Sequence, residues 1–271
     1  MRPTLFEIGS LPIRGYGLMV ATAFLVATYV ASRRARKQGI PSQAIFDLGL
    51  YALISAMIGA RIFHAFQHLD SYDSIWDVFK LWQGGLAYYG GFMLALVVII
   101  LYVRKKELPI SKVLDILGPP LILGIGIGRI GCFLAGCCFG KPTSLPWGVT
   151  FPEGSLAWFE IGSQKIHPTQ VYSVLSLFSI FVILLILQRY MRFSGQLFLV
   201  SVLMYSIHRL LIDFLRYYTP DERMGSLATS QVMSIVGIII TLVVMIALMI
   251  REGPKTSAAK VDQPKKKKRK G

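Results

Sequence analysis

Apolar residues gather into seven long runs separated by polar stretches. The runs fall at about 15–32, 45–64, 88–103, 114–131, 168–188, 195–215 and 229–250. A bilayer core takes about 20 helical residues, and each run comes near that length. The pattern predicts an all-α integral membrane protein with about seven transmembrane helices spread over residues 15–251. A short segment, 1–14, precedes the first run, and a tail, 252–271, follows the last. Two longer connections, at about 65–87 and 132–167, hold Trp76, Trp82, Trp147 and Trp158. Aromatic residues there suit an interfacial belt beside small extramembrane elements.

The fourth run contains Gly118, Pro119 and Pro120, then Gly124, Gly126, Gly128 and Gly131. Such a helix is expected to kink or unwind, which is tolerated only where protein or water covers the freed backbone. No internal repeat is visible, which weakens the case for an inverted-repeat transporter.

Positive charge orients the runs. Arg33, Arg34, Arg36 and Lys37 follow the first, and Arg104, Lys105, Lys106 and Lys112 follow the third. Arg189 and Arg192 follow the fifth, and the basic tail follows the seventh. The alternate connections are poorer: 65–87 has only Lys80 among three Asp. The positive-inside rule then places the C-terminus in the cytoplasm and the N-terminus outside.

Composition agrees. Charged residues are 16% of 271 and hydrophobic residues 54%, against about 25% charged in soluble domains. The mean hydropathy is +0.57. This excludes a soluble enzyme, a coiled coil and a secreted disulfide scaffold. The net charge of +15 is concentrated: residues 252–271 hold eight Lys or Arg and two acids, leaving 21 basic and 12 acidic residues, a net of +9. That excess belongs to cytoplasmic connections, so no nucleic-acid partner is expected. The run Lys265–Lys270 resembles a nuclear localisation signal, but a solvated charge run or a contact with anionic lipid suits this chain better. No cleavable signal peptide is expected, because the start is not basic and the first run exceeds an h-region.

Ionisable residues inside apolar spans are costly and mark candidate sites. Five stand out: Arg61, Arg129, His208, Arg209 and Asp213. Arg209 and Asp213, four apart, share a helical face. With Tyr205 and Arg216 they form a polar seam, read either as a structural ion pair or as a buried anion site. Arg129 lies in GIGIGRIGCF. Flanking glycines admit a ligand to the backbone, and a guanidinium fork suits phosphate; snorkelling to headgroups is the alternative. For Arg61 the two readings stand level. The four histidines are scattered, without an HExxH pattern, and the three cysteines lack the second ligand pair of a structural zinc site. No metal and no cofactor is expected. A seven-span receptor or retinal protein shares this topology and ranks far lower, since a retinal Schiff base needs a lysine in the last span and 229–250 contains none.

The stretch GRIGCFLAGCCFGKPT, residues 128–143, resembles the signature of bacterial prolipoprotein diacylglyceryl transferases. So do YGLM at 16–19, GGLAYYGG at 84–91, HPTQVY at 167–172 and YSIHRLLIDFLR at 205–216, in the family's order. The resemblance implies a multi-pass enzyme of the bacterial cytoplasmic (inner) membrane. It would move a diacylglyceryl group from phosphatidylglycerol to the lipobox cysteine thiol of lipoprotein precursors. Its partners would be phosphatidylglycerol, prolipoproteins and membrane lipid.

Carried over residue by residue, Arg129 matches an arginine implicated in binding phospholipid, and Arg209 matches an essential arginine of the sixth span. Gly140, Tyr16, Tyr205 and His167 match family residues, and Asp213 stands where the family has glutamate. Three positions depart: Tyr89 precedes Gly90 and Gly91 where a histidine is common, Cys132 replaces an asparagine, and Cys137 replaces a glutamate. A tyrosine, with a pKa of about 10, is a poor base at neutral pH. The resemblance thus assigns catalysis to Arg129, Arg209 and Tyr89, and substrate binding to Tyr16, Arg129, Cys132, Gly140, Tyr205, Asp213 and His167. The cysteines read as small packing thiols, as a disulfide from Cys132 to Cys137 or Cys138, or as a nucleophile. The competing functions are a phospholipid-binding relative without transfer, and a transferase with another acceptor.

Overall fold

The computed structural model describes residues 4–8, 11–68 and 87–252. The expectations for Trp76 and Trp82 and for the Lys265–Lys270 run lie outside the described residues. A hairpin of β1 (Thr4–Ile8) and β2 (Leu11–Arg14) leads into α1 (Gly15–Lys37). Then come α2 (Ser42–Gln67), α3 (Tyr88–Lys105), α4 (Ile110–Ala135) and the short α5 (Leu156–Ile161). After α6 (Thr169–Leu187) and α7 (Gln196–Asp213), a two-residue pair, β3 (Arg223–Met224) and β4 (Leu227–Ala228), leads into α8 (Thr229–Glu252). Each predicted run coincides with one long helix to within a few residues. Among the described residues, six helices are long and apolar enough to cross a membrane. The chain is an all-α integral membrane protein.

The outward faces show the lipid as solvent. On α8, Ile239, Val243, Ile246 and Ile250 form an exposed apolar stripe at helical spacing. Inside a bilayer such a face carries no penalty, because lipid tails are as apolar as the side chains. Helices then associate through close packing. A Cβ placed on Gly90 would overlap both the Gly59 carbonyl and Phe63, so only glycine lets α2 and α3 approach this closely. The central helix is α4, which packs on α1, α6 and α7. Half of its apolar window, 50%, is buried, against 11% for α8.

The expected break in α4 does not occur: the helix runs unbroken through Pro119 and Pro120. Each proline removes the N–H that would bond the carbonyl four residues earlier, here those of Asp115 and Ile116. Arg34, near the end of α1, donates to both: Nε to the Ile116 oxygen at 3.1 Å and Nη2 to the Asp115 oxygen at 3.0 Å. Its Nη1 donates to Gln188 Oε1 at 2.9 Å. The Asp115 carboxylate accepts the amides of Gly195 (2.6 Å) and Phe198 (2.9 Å), which caps α7. Arg34 is therefore buried structural charge, unlike its neighbours Arg33 and Arg36, which are exposed.

One end of the bundle gathers the basic clusters. The other gathers the starts of α1, α3, α6 and α8 with the ends of α2, α4 and α7. Residues 136–168 cap this second end on a small core of Phe139, Phe151, Ala157 and Ile166.

Candidate active site

The polar seam of α7 is present, and it is knotted around one carboxylate. Arg209 Nε lies 3.2 Å from Asp213 Oδ2, and the Asp213 side chain is fully buried. The Tyr218 hydroxyl donates to Oδ1 at 2.7 Å and the Ser230 hydroxyl to Oδ2 at 2.6 Å. Arg209 Nη2 also donates to the Tyr218 oxygen at 3.2 Å. Burial pushes the Tyr218 phenol above its usual range, which keeps it a proton donor.

Arg216 does not extend the helical face as its spacing suggested, because α7 stops at Asp213. The chain turns there, and Arg216 pairs across a backbone bridge with Gly140. Its Nη1 still reaches to 4.0 Å from Asp213 Oδ1, and the guanidinium lies 4.9 Å over the Tyr218 ring. Its Nε is buried without a protein partner among the described residues.

Arg129, on α4, faces the same space. A cavity of about 860 Å³ is lined by Arg129, Arg209, Arg216, Tyr89, Tyr205, Cys138 and Ser230, among others. Three guanidinium groups face this space, and two of them, Arg209 and Arg216, share the Asp213 carboxylate behind it. Their surplus charge and forked donors suit a phosphate oxyanion. A separate groove of about 540 Å³ between α1, α2, α3 and α4, lined by Ala27, Ala31, Ala52, Ala56 and Gly91, is almost wholly apolar.

The cavity thus brings together Arg129, Arg209, Tyr89 and Tyr205, with Asp213 behind Arg209. The other candidates lie off its lining. Tyr16 is half exposed at the start of α1, within electrostatic reach of Arg129 and the cysteines. His167 acts through its backbone: its carbonyl accepts the Gly140 amide at 3.1 Å, and its amide donates to the Lys141 carbonyl at 3.0 Å. A Cβ on Gly140 would sit 2.6 Å from the His167 oxygen, so this crossing requires glycine. The His167 ring packs edge-on to Tyr172. Thr169 Oγ1 and Gln170 Nε2, both buried, donate to the carbonyls of Cys138 and Cys137 at 2.8 Å each. HPTQ therefore clamps the cysteine segment to α6. Arg61 is buried in α2 away from the cavity lining. His208 pairs with the Ser176 hydroxyl at 2.9 Å and borders a different pocket.

Several lining residues escaped the sequence assignment, Cys138, Tyr218 and Ser230 among them. Tyr218 carried a weak signal, an aromatic one turn beyond a buried acid. Ser230 carried none, being 17 residues from the carboxylate it bonds. The cysteines hold a further surprise. Gly136 (φ 71°) ends α4 in the left-handed region and Cys138 (φ 59°) repeats that turn, folding the chain back on itself. The Cys137 amide bonds the Cys132 carbonyl at 3.1 Å. All three thiols are free, and their sulfur atoms lie within 4.8 Å of one another. Where the spacing predicted no metal constellation, the fold makes a three-sulfur cluster.

Apolar spans around an arginine-lined cavity at one end of the bundle define a multi-pass membrane protein suited to a phosphate-bearing ligand. The family model described as "Prolipoprotein diacylglyceryl transferase" matches residues 3–247. The chain belongs to the prolipoprotein diacylglyceryl transferase family. The phosphatidylglycerol–prolipoprotein diacylglyceryl transferase of Clostridium tetani is 35% identical over 240 residues, covering 89% of this chain and 95% of the relative. The protein of that name from Synechococcus elongatus is 35% identical over 245 residues, covering 87% and 83%. That from Thermotoga petrophila is 32% identical over 254 residues, covering 93% and 86%.

Proposed function

We propose that this chain transfers the diacylglyceryl group of phosphatidylglycerol to the lipobox cysteine of prolipoproteins, in the cavity of Arg129, Arg209 and Arg216. The convergence of these three arginines on one space of about 860 Å³ carries the reading. The acceptor sulfur attacks the glyceryl carbon that bears the phosphate ester. The carbon–oxygen bond breaks, and glycerol phosphate leaves with the electron pair. Negative charge grows on the departing phosphate, so fixed guanidinium groups aimed at it lower the barrier. Arg129 and Arg209 hold the phosphate, and Asp213 positions Arg209. Tyr89 and Tyr205 donate hydrogen bonds to the lipid head. Tyr16, Cys132, Gly140 and His167 shape the rim and the loop behind it.

The bundle is read as seven spans with the N-terminus outside, because the basic clusters lie at the end opposite the cavity. In a bacterial inner membrane the cavity then opens near the outer leaflet, where a secreted precursor presents its cysteine. The test uses purified protein, phosphatidylglycerol labelled in its diacylglyceryl part, and a lipobox peptide. Label on the peptide that depends on its cysteine and on Arg129 supports the reading. Folded protein that binds phosphatidylglycerol and labels nothing favours the lipid-binding alternative.

A further inference from the structure

The cavity poses a chemical problem. Alkylation of a thiol proceeds through the thiolate, and a free thiol of pKa about 8.5 is only a few per cent ionised at neutral pH. Among the described residues that line the cavity there is no histidine. Its only carboxylate there, Glu222, is engaged by the Thr219 amide and hydroxyl at 3.1 and 3.3 Å. The lining tyrosines are poor bases, with a reference pKa of about 10.

Beside this cavity stand three sulfur atoms within 4.8 Å of one another, on Cys132, Cys137 and Cys138. A tetrahedral zinc site has metal–sulfur bonds of about 2.3 Å, which sets neighbouring sulfurs about 3.8 Å apart. The cluster needs only small side-chain adjustments to meet that geometry. Structural zinc sites are closed by four protein ligands, whereas catalytic ones have three and keep a position open. Among the described residues there are three here, and Cys138 lines the arginine cavity.

Two features hold the cluster in place. Cys138 adopts a left-handed backbone conformation (φ 59°), uncommon for a residue with a side chain. The carbonyls of Cys137 and Cys138 are tied by Gln170 and Thr169 at 2.8 Å each. Arg129 and Arg216 lie near Cys138 and bring positive charge to the cluster. Three thiolates and a divalent zinc ion carry one net negative charge, which these arginines offset.

We propose that Cys132, Cys137 and Cys138 bind a zinc ion whose fourth position takes the acceptor cysteine as a thiolate. The proposal rests on the transfer reading above and supplies its missing thiol activation. On binding zinc, the acceptor thiol releases its proton to solvent, since a coordinated thiol is deprotonated outright. A sulfur electron pair then forms the bond to the glyceryl carbon, while the carbon–oxygen bond breaks toward the phosphate held by Arg129 and Arg209. The thioether product is a weak ligand and departs. No oxidant or reductant takes part.

The test uses the reduced, full-length protein with cobalt(II) as a spectroscopic stand-in for zinc, and zinc itself for activity. One equivalent of cobalt should bind and give a thiolate-to-metal charge-transfer band. Cys137→Ser should lose that band and Arg209→Ala should keep it. A lipobox peptide should alter the ligand-field bands, and its cysteine-to-serine version should not. Chelation of the wild-type protein, which avoids any folding defect of a variant, should lower transfer by about tenfold or more, and zinc should restore it. The proposal is overturned if the active protein binds no metal, if its cysteines are oxidised, or if chelated protein transfers at the full rate. Metal binding with peptide-thiol coordination but no transfer in any form would sustain the zinc site and refute the transfer reading instead.

Discussion

Arginines withdrawn from full exposure occur at both ends of the bundle, buried in the case of Arg34 and half-buried in the case of Arg129, Arg209 and Arg216, and the two ends use them differently. At the basic end Arg34 spends three donor groups on protein, two on the carbonyls that Pro119 and Pro120 leave orphaned and one on Gln188. At the cavity end Arg129 meets the thiol of Cys138, and Arg216 keeps a buried Nε without a partner among the described residues. Among the described residues, Arg209 has the shorter ion pair with Asp213, 3.2 Å against 4.0 Å for Arg216. Burial of a charge therefore does not by itself identify a functional site. The distinction lies in whether the guanidinium's donors are consumed by the fold or left aimed at a space.

The sharpest break of this comparison is a pair of truncations. Arg129→Ala removes charge directed at the phosphate and should lower transfer about 100- to 1,000-fold, the scale of a lost oxyanion donor. Its thermal unfolding in detergent should change little. The comparison fails if the stability collapses along with the rate.

Arg34→Ala should behave in the opposite way. Two carbonyls lose their donors, at about 1–3 kcal/mol each, so unfolding should cost about 3 kcal/mol less. The folded fraction should keep the parental turnover. Restoring helix amides through Pro119→Ala and Pro120→Ala should recover much of the loss, a non-additivity expected of groups sharing partners. Equal losses from Arg34→Ala in both backgrounds would show that the guanidinium does something other than satisfy these carbonyls.

The same contrast explains what the sequence could disclose. The long helices were legible because hydropathy over some 18 residues averages out local detail, and the basic clusters marked alternate ends. Arg129, Arg209 and Asp213 were legible because a charge in an apolar run is conspicuous. The break expected at Pro119 and Pro120 follows from the local rule, and it failed because the compensating donor lies 82 residues away in α1. Arg34 looked like one more member of a solvated cluster. Ser230 and Cys138 stayed hidden for a related reason: their roles depend on where the chain turns back, and only Gly136 hinted at such a turn. His167 was placed by its motif, yet its contribution runs through its backbone to Gly140, which no residue type announces.

Tyr218→Phe probes the link from the fold to the cavity. It deletes the hydrogen bond to Asp213 Oδ1 (2.7 Å) and the acceptor of Arg209 Nη2 (3.2 Å), and leaves the Ser230 hydroxyl and Arg209 Nε on the carboxylate. A hydrogen bond to a charged group is worth about 1.5–3 kcal/mol, and the remaining partners put the expected loss of stability near the lower figure. Transfer should fall through looser placement of Arg209, by about tenfold and thus less than for Arg129→Ala. A variant with unaltered turnover would make the Asp213 cluster purely structural.

The smallest effect closes the comparison within one helical turn. Arg36 sits two residues from Arg34 in the same basic cluster, but its side chain is exposed. Arg36→Ala should change stability by less than about 0.5 kcal/mol, as surface substitutions away from special contacts do. Membrane orientation should persist as well, because Arg33, Lys37 and the clusters at Arg104 and Arg189 retain the charge bias. Unfolding curves of Arg34→Ala and Arg36→Ala measured side by side separate the two uses of arginine. If both variants lose stability alike, the cluster acts as a charge block, and the carbonyl bonds of Arg34 lose their special standing. If only Arg34→Ala does, what matters is the direction in which a guanidinium's donors point, since the two residues share type, helix and neighbourhood.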